Sequence, residues 1–169
     1  MGVSGMDGHM IEARAKDERL GFVGEITKIS VEPVTDLLEK GYIPVISTVG
    51  CDMQGNVYNI NADTAAAHIA GALNAESLIL MTDIPGILMD KDNPDSLIPE
   101  IDIKDAERLT AQGIISGGMI PKSECCINAL KRGVNKVVIL DGRVPHSILL
   151  EILTDEGAGT MFVEVKNEH

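Results

Sequence analysis

The stretch "YNINADTAAAHIAGALNAESLILMTD", residues 58–83, decides the architecture. Its first half predicts an alanine-rich helix over 61–73, opened by Asn61 and Asp63, residue types that satisfy orphan N–H groups at a helix start. Its second half, "SLILMTD", is a short apolar run of the kind that forms a strand buried on both faces. The same beat recurs downstream: a helix at 103–112, a helix in "GGMIPKSECCINALKRG", a strand in "KVVIL", a helix in "PHSILLEILTDEG" and a strand in "GTMFVEV". Repeated units of this size predict an α/β fold with a parallel or mostly parallel sheet and helices on both faces.

Upstream, "HMIEARAK" and "GFVGEITKIS" read as an antiparallel hairpin joined through "DERL". A helix follows in "SVEPVTDLLEKG", with Ser30 or Glu32 near its start, Pro33 in the first turn and Gly41 at its end. "YIPVIST", residues 42–48, predicts another strand buried on both faces, and "CDMQGNVYNI" a polar turn at 54–56. No repeat, low-complexity segment or linker breaks the 169 residues, so a single domain over 1–169 is the expectation.

With no Trp, two Tyr and two Phe, the core must be aliphatic, and base-stacking platforms are not expected. A net charge of -12 argues against nucleic acid or an anionic membrane as partner. No apolar run approaches the roughly 18 residues of a membrane span, and the chain reads as cytoplasmic. Cys51, Cys125 and Cys126 form neither a disulfide framework nor a metal spacing; the adjacent pair reads as small helix residues.

Three loops offer chemistry where strands lead into helices, the place at which open α/β sheets collect ligands. Asn59 and Asn61, two apart in extended chain, can present both carboxamides on one side, with Asp63 in the helix's first turn; capping is the competing explanation. "MTDIPGI", residues 81–87, ends a strand in Thr82 and Asp83 before a sharp Pro85–Gly86 turn, which would also suit a plain connection. "SGGMIPK", residues 116–122, sets Gly117 and Gly118 before a helix whose N–H groups can face an anion, with Lys122 near that end. Neither the P-loop order nor a G-x-G-x-x-G fingerprint is present, so spacing alone predicts a phosphate or nucleotide site of another type.

These segments, together with "LGFVGEI", "GYIPVIS" and "ILDGRVPHSILLEILTDEGAGTMF", resemble the C-terminal portion of the acetylglutamate kinases, in the amino acid kinase family. The resemblance implies a three-layer αβα sandwich with a mostly parallel sheet and hairpins, and ATP-dependent phosphorylation of the γ-carboxylate of N-acetyl-L-glutamate, a step of arginine biosynthesis. It gives Asn59 and Asn61 to the acceptor and Asp63 to orienting the catalytic lysines. Lys122 would neutralise the transferring phosphoryl group, while Thr82, Asp83, Gly86, Ile87, Leu88, Gly117, Gly118 and Met119 would hold ATP, accompanied by Mg2+. His146, Glu156 and Gly159 become candidates for an arginine inhibitor site, and a homo-oligomer is implied.

One departure lies at the front: "MGVSGMDG" resembles a mid-chain family segment, with Met6 where a basic residue is usual. Before Asn59 there is no K-x-G-G and no second Gly-Gly pair. The expectation is a nucleotide-binding C-terminal lobe without the N-terminal substrate lobe. Two other readings stay open: an inactive nucleotide- or arginine-binding module, and another amino acid kinase such as a glutamate 5-kinase.

Overall fold

The computed structural model describes residues 1–154 and 157–165. The chain folds as two compact units, Met1–Leu73 and Asn74–His169.

The first unit contains β1 (Gly2–Ser4), β2 (Ile11–Ala15), β3 (Gly24–Ile29), α1 (Glu32–Glu39), β4 (Val45–Ser47), β5 (Val49–Cys51), β6 (Val57–Asn59) and α2 (Ala62–Ala72). The predicted hairpin is present: β2 and β3 pair antiparallel with a bulge between Glu12 and Ala13. Its turn is organised by Asp17, whose side chain accepts from the Arg19 N–H, and by Gly21 at φ 63°. The sheet runs β3-β2-β5-β6, and β1 pairs separately with β4. Met10, Ile11, Ile26, Tyr58 and Ile60 pack with Val34 of α1 and with Ala65 and Ile69 of α2 into one core. Helix α1 carries Pro33 in its first turn, and Gly41 follows its end at φ 76°. Neither Ser30 nor Glu32 caps it; Val31 holds the cap position without a side-chain bond.

The stretch at 42–48 departs from expectation. Only Val45–Ser47 is strand, and Ile43 and Val45 are 80% and 67% exposed. A strand buried on both faces needs neighbours at both edges and cover on both sides. Among the described residues β4 pairs with β1 alone, and the residues opposite Val45 and Ser47 are Gly2 and Ser4, which have little side chain to offer.

The β5–β6 hairpin turns on one carboxylate. Asp52 accepts from the backbone N–H of Gln54 and of Asn56, from Asn56 Nδ2 and from the Tyr58 hydroxyl, all within 2.8–3.0 Å. Chiefly the Asn56 side-chain bond draws its pKa below the ordinary 3.8, with burial opposing. A depressed carboxylate stabilises the fold above the unfolded value, and that contribution disappears as pH falls through the lower native value. Asp52→Asn is therefore expected to flatten the loss of stability below about pH 4, read by denaturant unfolding as a function of pH; an unchanged acid limb would assign that limb to other groups.

The second unit contains β7 (Ser77–Thr82), β8 (Glu100–Asp102), α3 (Ile103–Ala111), α4 (Met119–Lys131), β9 (Lys136–Asp141), α5 (Ser147–Leu153) and β10 (Gly159–Val163), in a sheet ordered β7-β9-β10-β8. Its middle is "KVVIL": Val137, Val138, Ile139 and Leu140 are no more than 1% exposed. By contrast β7 is an edge strand in which only Leu80 is buried and Met81 is 50% exposed, so position in the sheet, not composition, separates two equally apolar runs. Helix α3 is capped by Asp102, which accepts from the Asp105 N–H at 2.7 Å. Helix α4 packs on β9 and β10 and buries Cys125, Cys126 and Leu130, the two thiols serving as small core residues.

Among the described residues the pairings are mixed. β1–β4, β2–β5, β7–β9 and β8–β10 are parallel; β2–β3, β5–β6 and β9–β10 are antiparallel. The α/β class stands, with parallel pairs predominating. The strand-helix-strand segment β9-α5-β10 nevertheless ends antiparallel. Helix α5 advances roughly 10 Å, about half the length of a six-residue strand, so the chain does not travel back to the start of β9 before pairing.

Candidate functional site

In the first unit, Tyr58 and Ile60 point into the core while Asn59 and Asn61 are exposed, so the two carboxamides share the outer side as period-two backbone requires. Asn61 is the cap of α2: its Oδ1 accepts from the Thr64 N–H at 3.0 Å and from the Thr64 hydroxyl at 3.2 Å. Capping accounts for the Asn61 side chain and leaves that of Asn59 unexplained, since Asn59 is tied through its backbone, opposite Val49, bridged to Val23 and donating its N–H to the Phe22 carbonyl at 2.8 Å. Asp63 is half-buried in the first turn, where the helix dipole favours a carboxylate.

In the second unit, Thr82 closes β7 and donates to Asp83 Oδ1 at 3.3 Å. The following turn is stapled to β10. The Ile87 N–H donates to Thr160 Oγ1 at 2.8 Å, and the Thr160 hydroxyl donates to the Ile98 carbonyl at 2.7 Å. Thr160 is fully buried, so both bonds satisfy groups that water cannot reach. Gly86 is required by this staple: its φ is 144°, and a Cβ there would stand 2.5 Å from Thr160 Oγ1. Leu88 bridges to Leu97 and, with Met89, Asp90 and Lys91, lines a cavity of about 300 Å3 that Gln112, Gly113, Ile114 and Ser116 close from the other side. The Leu88 loop and the start of the "SGGMIPK" loop therefore border the same space.

Gly117 and Gly118 behave unlike Gly86. Gly117 takes φ 55°, and a Cβ at either position would meet nothing within 4 Å. The N–H groups of Met119 and Ile120 turn back onto the carbonyls of Ser116 and Gly117, at 3.1 and 3.3 Å. The expectation that the helix's own first N–H groups face an anion is corrected accordingly: the tight turn uses two of them, and Pro121 has none. The N–H groups of Gly117 and Gly118 remain without a hydrogen bond among the described residues. Lys122 follows, half-buried, at the fourth position of the thirteen-residue α4.

Two of the three residues predicted for an inhibitor are described, and their surroundings differ. His146 is exposed, left-handed at φ 63°, and precedes α5 without a side-chain cap bond. Gly159 is buried at the start of β10, where a Cβ would collide with the Ile139 carbonyl oxygen. Glu156 lies outside the described residues.

The loop after β9 is legible in sequence only as the lead-in to that region, yet it holds a well-defined ion pair. Asp141, 8% exposed, accepts from the Arg143 backbone N–H and Nε at 2.9 Å and from Nη2 at 2.8 Å. The Arg143 side-chain bond pulls the Asp141 carboxyl below the usual carboxylate range.

The amino acid kinase family model matches residues 1–141, and the chain belongs to that family. Within it, the chain is 55% identical over 164 residues to an acetylglutamate kinase of Synechococcus elongatus and 52% identical to one of Brachyspira hyodysenteriae, covering 96% of this chain and 54% and 57% of theirs. It thus spans about half the length of the curated relatives it matches. Among solved structures, the N-acetylglutamate synthase of Neisseria gonorrhoeae complexed with coenzyme A and L-arginine superposes with a TM-score of 0.82 at 27% identity, over 96% of this chain and 38% of that one. The isopentenyl phosphate kinase of T. acidophilum, at 20% identity and a TM-score of 0.62, shares the fold over 96% of this chain and 58% of its own. No helix among the described residues is long and apolar enough to cross a membrane.

Proposed function

We propose that the chain carries the nucleotide-binding part of an acetylglutamate kinase, a C-terminal lobe that works with a substrate lobe to transfer the γ-phosphoryl group of ATP to the γ-carboxylate of N-acetyl-L-glutamate. The carrying observation is the element at 116–122. Two glycine N–H groups without a partner, open space where side chains would stand, and a lysine one turn on suit a phosphate chain. Identity of 52–55% to acetylglutamate kinases over 96% of the chain supports this acceptor over other substrates of the family.

In this reading an acceptor carboxylate oxygen attacks the γ-phosphorus, the bond to the β-phosphate oxygen breaks, and an acyl phosphate and ADP leave. The carboxylate is already ionised near neutral pH and requires no general base. What remains is positioning and charge neutralisation, the larger part of phosphoryl-transfer catalysis. Asn59 and Asn61 hold the acceptor, Asp63 orients lysine, Lys122 meets the charge on the phosphates, Gly117, Gly118 and Met119 take the phosphate side, and residues 82–88 with Gly86, Ile87 and Leu88 take the nucleoside side. Mg2+ fits as a passenger on the triphosphate, which supplies most of its oxygen ligands.

The same resemblance implies a cytoplasmic homo-oligomer. Arginine as an inhibitor draws support from the L-arginine in the synthase complex, and His146 is the better of the described candidates because Gly159 already has a steric duty.

The test is calorimetric titration of the full chain with Mg-ATP, followed by ADP release in the presence of N-acetylglutamate or glutamate. Saturable ATP binding at a single site is expected, with any turnover dependent on the acetylated acceptor. Absence of binding heat at several temperatures overturns the reading; turnover on glutamate alone moves it to another amino acid kinase.

A further inference from the structure

β7 and β9 run parallel and in register, with Thr82 opposite Asp141, so their carboxyl ends finish together at one edge of the sheet. The Gly142 N–H donates to the Thr82 carbonyl at 2.8 Å and holds the two following loops side by side. A side chain at 142 would press on Met81, its Cβ only 3.2 Å from Met81 Cε. This edge is where nucleotides bind in open α/β sheets. At it, Asp141 grips Arg143 through backbone N–H, Nε and Nη2 while the arginine side chain stays 66% exposed. Nη1 makes no hydrogen bond among the described residues. A buried carboxylate holding one edge of an exposed guanidinium fixes a planar cation whose face is open to solvent, and a guanidinium face stacks on aromatic rings.

Charge decides which end of a nucleotide belongs here. Asp83 follows Thr82, whose register partner is Asp141, and its charge is felt at Arg143, so two carboxylates and one guanidinium share this edge and sum to one negative charge. A triphosphate would meet net repulsion. An uncharged base and ribose would not, and a carboxylate at such an edge can accept from ribose hydroxyls. The phosphates have their own element at 116–122, where no carboxylate stands between Ser116 and Ser123.

We propose that Arg143, clamped by Asp141, is a nucleoside-binding residue whose guanidinium lies against the base and ribose of the bound purine nucleotide, with Asp83 facing the ribose. The assignment rests on the nucleotide reading above and deepens it. Its test is equilibrium binding of adenosine, AMP, ADP and ATP to the full chain, as wild type, Arg143→Ala and Arg143→Lys. Arg143→Ala is expected to weaken all four by the same factor, about tenfold. Arg143→Lys is expected to recover little, because an ammonium has no planar face. Two results overturn the proposal: affinities unchanged in both variants, which reduces the pair to a tie within its loop, or a loss confined to ADP and ATP, which makes Arg143 a phosphate ligand. A wild-type chain that binds none of the four overturns the nucleotide reading itself, and this assignment with it.

Discussion

Lys122→Ala is expected to weaken ATP binding by about 10- to 100-fold while leaving AMP affinity unchanged. The magnitude follows from the roughly 1.5–3 kcal/mol of a hydrogen bond to a charged group, with about 1.4 kcal/mol per tenfold in affinity. The selectivity follows from place. Lys122 stands in the amino-terminal turns of α4, the end at which the helix dipole disfavours a cation. A polyphosphate at Gly117 and Gly118 reverses that penalty, whereas an adenosine monophosphate held at the other edge leaves it untouched. In a competent transfer assay the loss should be larger, about 10²- to 10³-fold, because charge builds on the leaving β-phosphate oxygen toward the transition state. Titrations of ATP, ADP and AMP against both proteins decide the matter. Equal losses for all three nucleotides, or none, would place the phosphates elsewhere. Lys122 and Arg143 variants should thus give opposite signatures, one graded with phosphate number and one flat.

Gly159→Ala is expected to destabilise the chain by about 2–3 kcal/mol, and Gly159→Val by more. In β10, Gly159 lies opposite Leu140 of β9, and an added Cβ would overlap the Ile139 carbonyl and stand 3.0 Å from Leu140 Cβ. The neighbours are backbone and core of the sheet's central strand, which cannot swing aside as an exposed side chain can. Displacement would also reach the next residue, Thr160, whose hydroxyl joins Ile87 to Ile98. Gly118→Ala is the matched control. Its φ is -66° and its surroundings are open, so urea unfolding should be unchanged within about 0.5 kcal/mol. Equal stability of Gly159→Ala and wild type would show that β10 can shift away from β9, and would return Gly159 to consideration as a ligand residue.

The contrast between these glycines shows where sequence reading stops. "SGGMIPK", "TDIPGI" and "DEGAGTMF" all present glycine beside polar residues, the first two suiting ligand loops by their residues and the third by the family resemblance. Only the first leaves its glycines in open space; Gly86 and Gly159 are glycine because Thr160 and Ile139 leave no room. In the same way "YIPVIST", "SLILMTD" and "KVVIL" carry similar apolar runs, yet they become an exposed pair-strand, an edge strand and a central strand. The "DGR" tripeptide gave no motif signal, since its meaning lies in a carboxylate buried by the sheet and a guanidinium left outside it.

Local order was enough for the hairpin at 11–29, the helices at 62–72, 103–111 and 119–131, the Asn61 cap and family membership, because caps, turns and periodicity act over a few residues along the chain. Strand order, the antiparallel turn of β10, the Thr160 staple across 62 and 73 residues, and the Asp141–Arg143 clamp beside Thr82 were decided by the assembled sheet. Burial and hydrogen-bond partnership at those points depend on which distant segments arrive there, and composition along one segment carries no record of its neighbours in space.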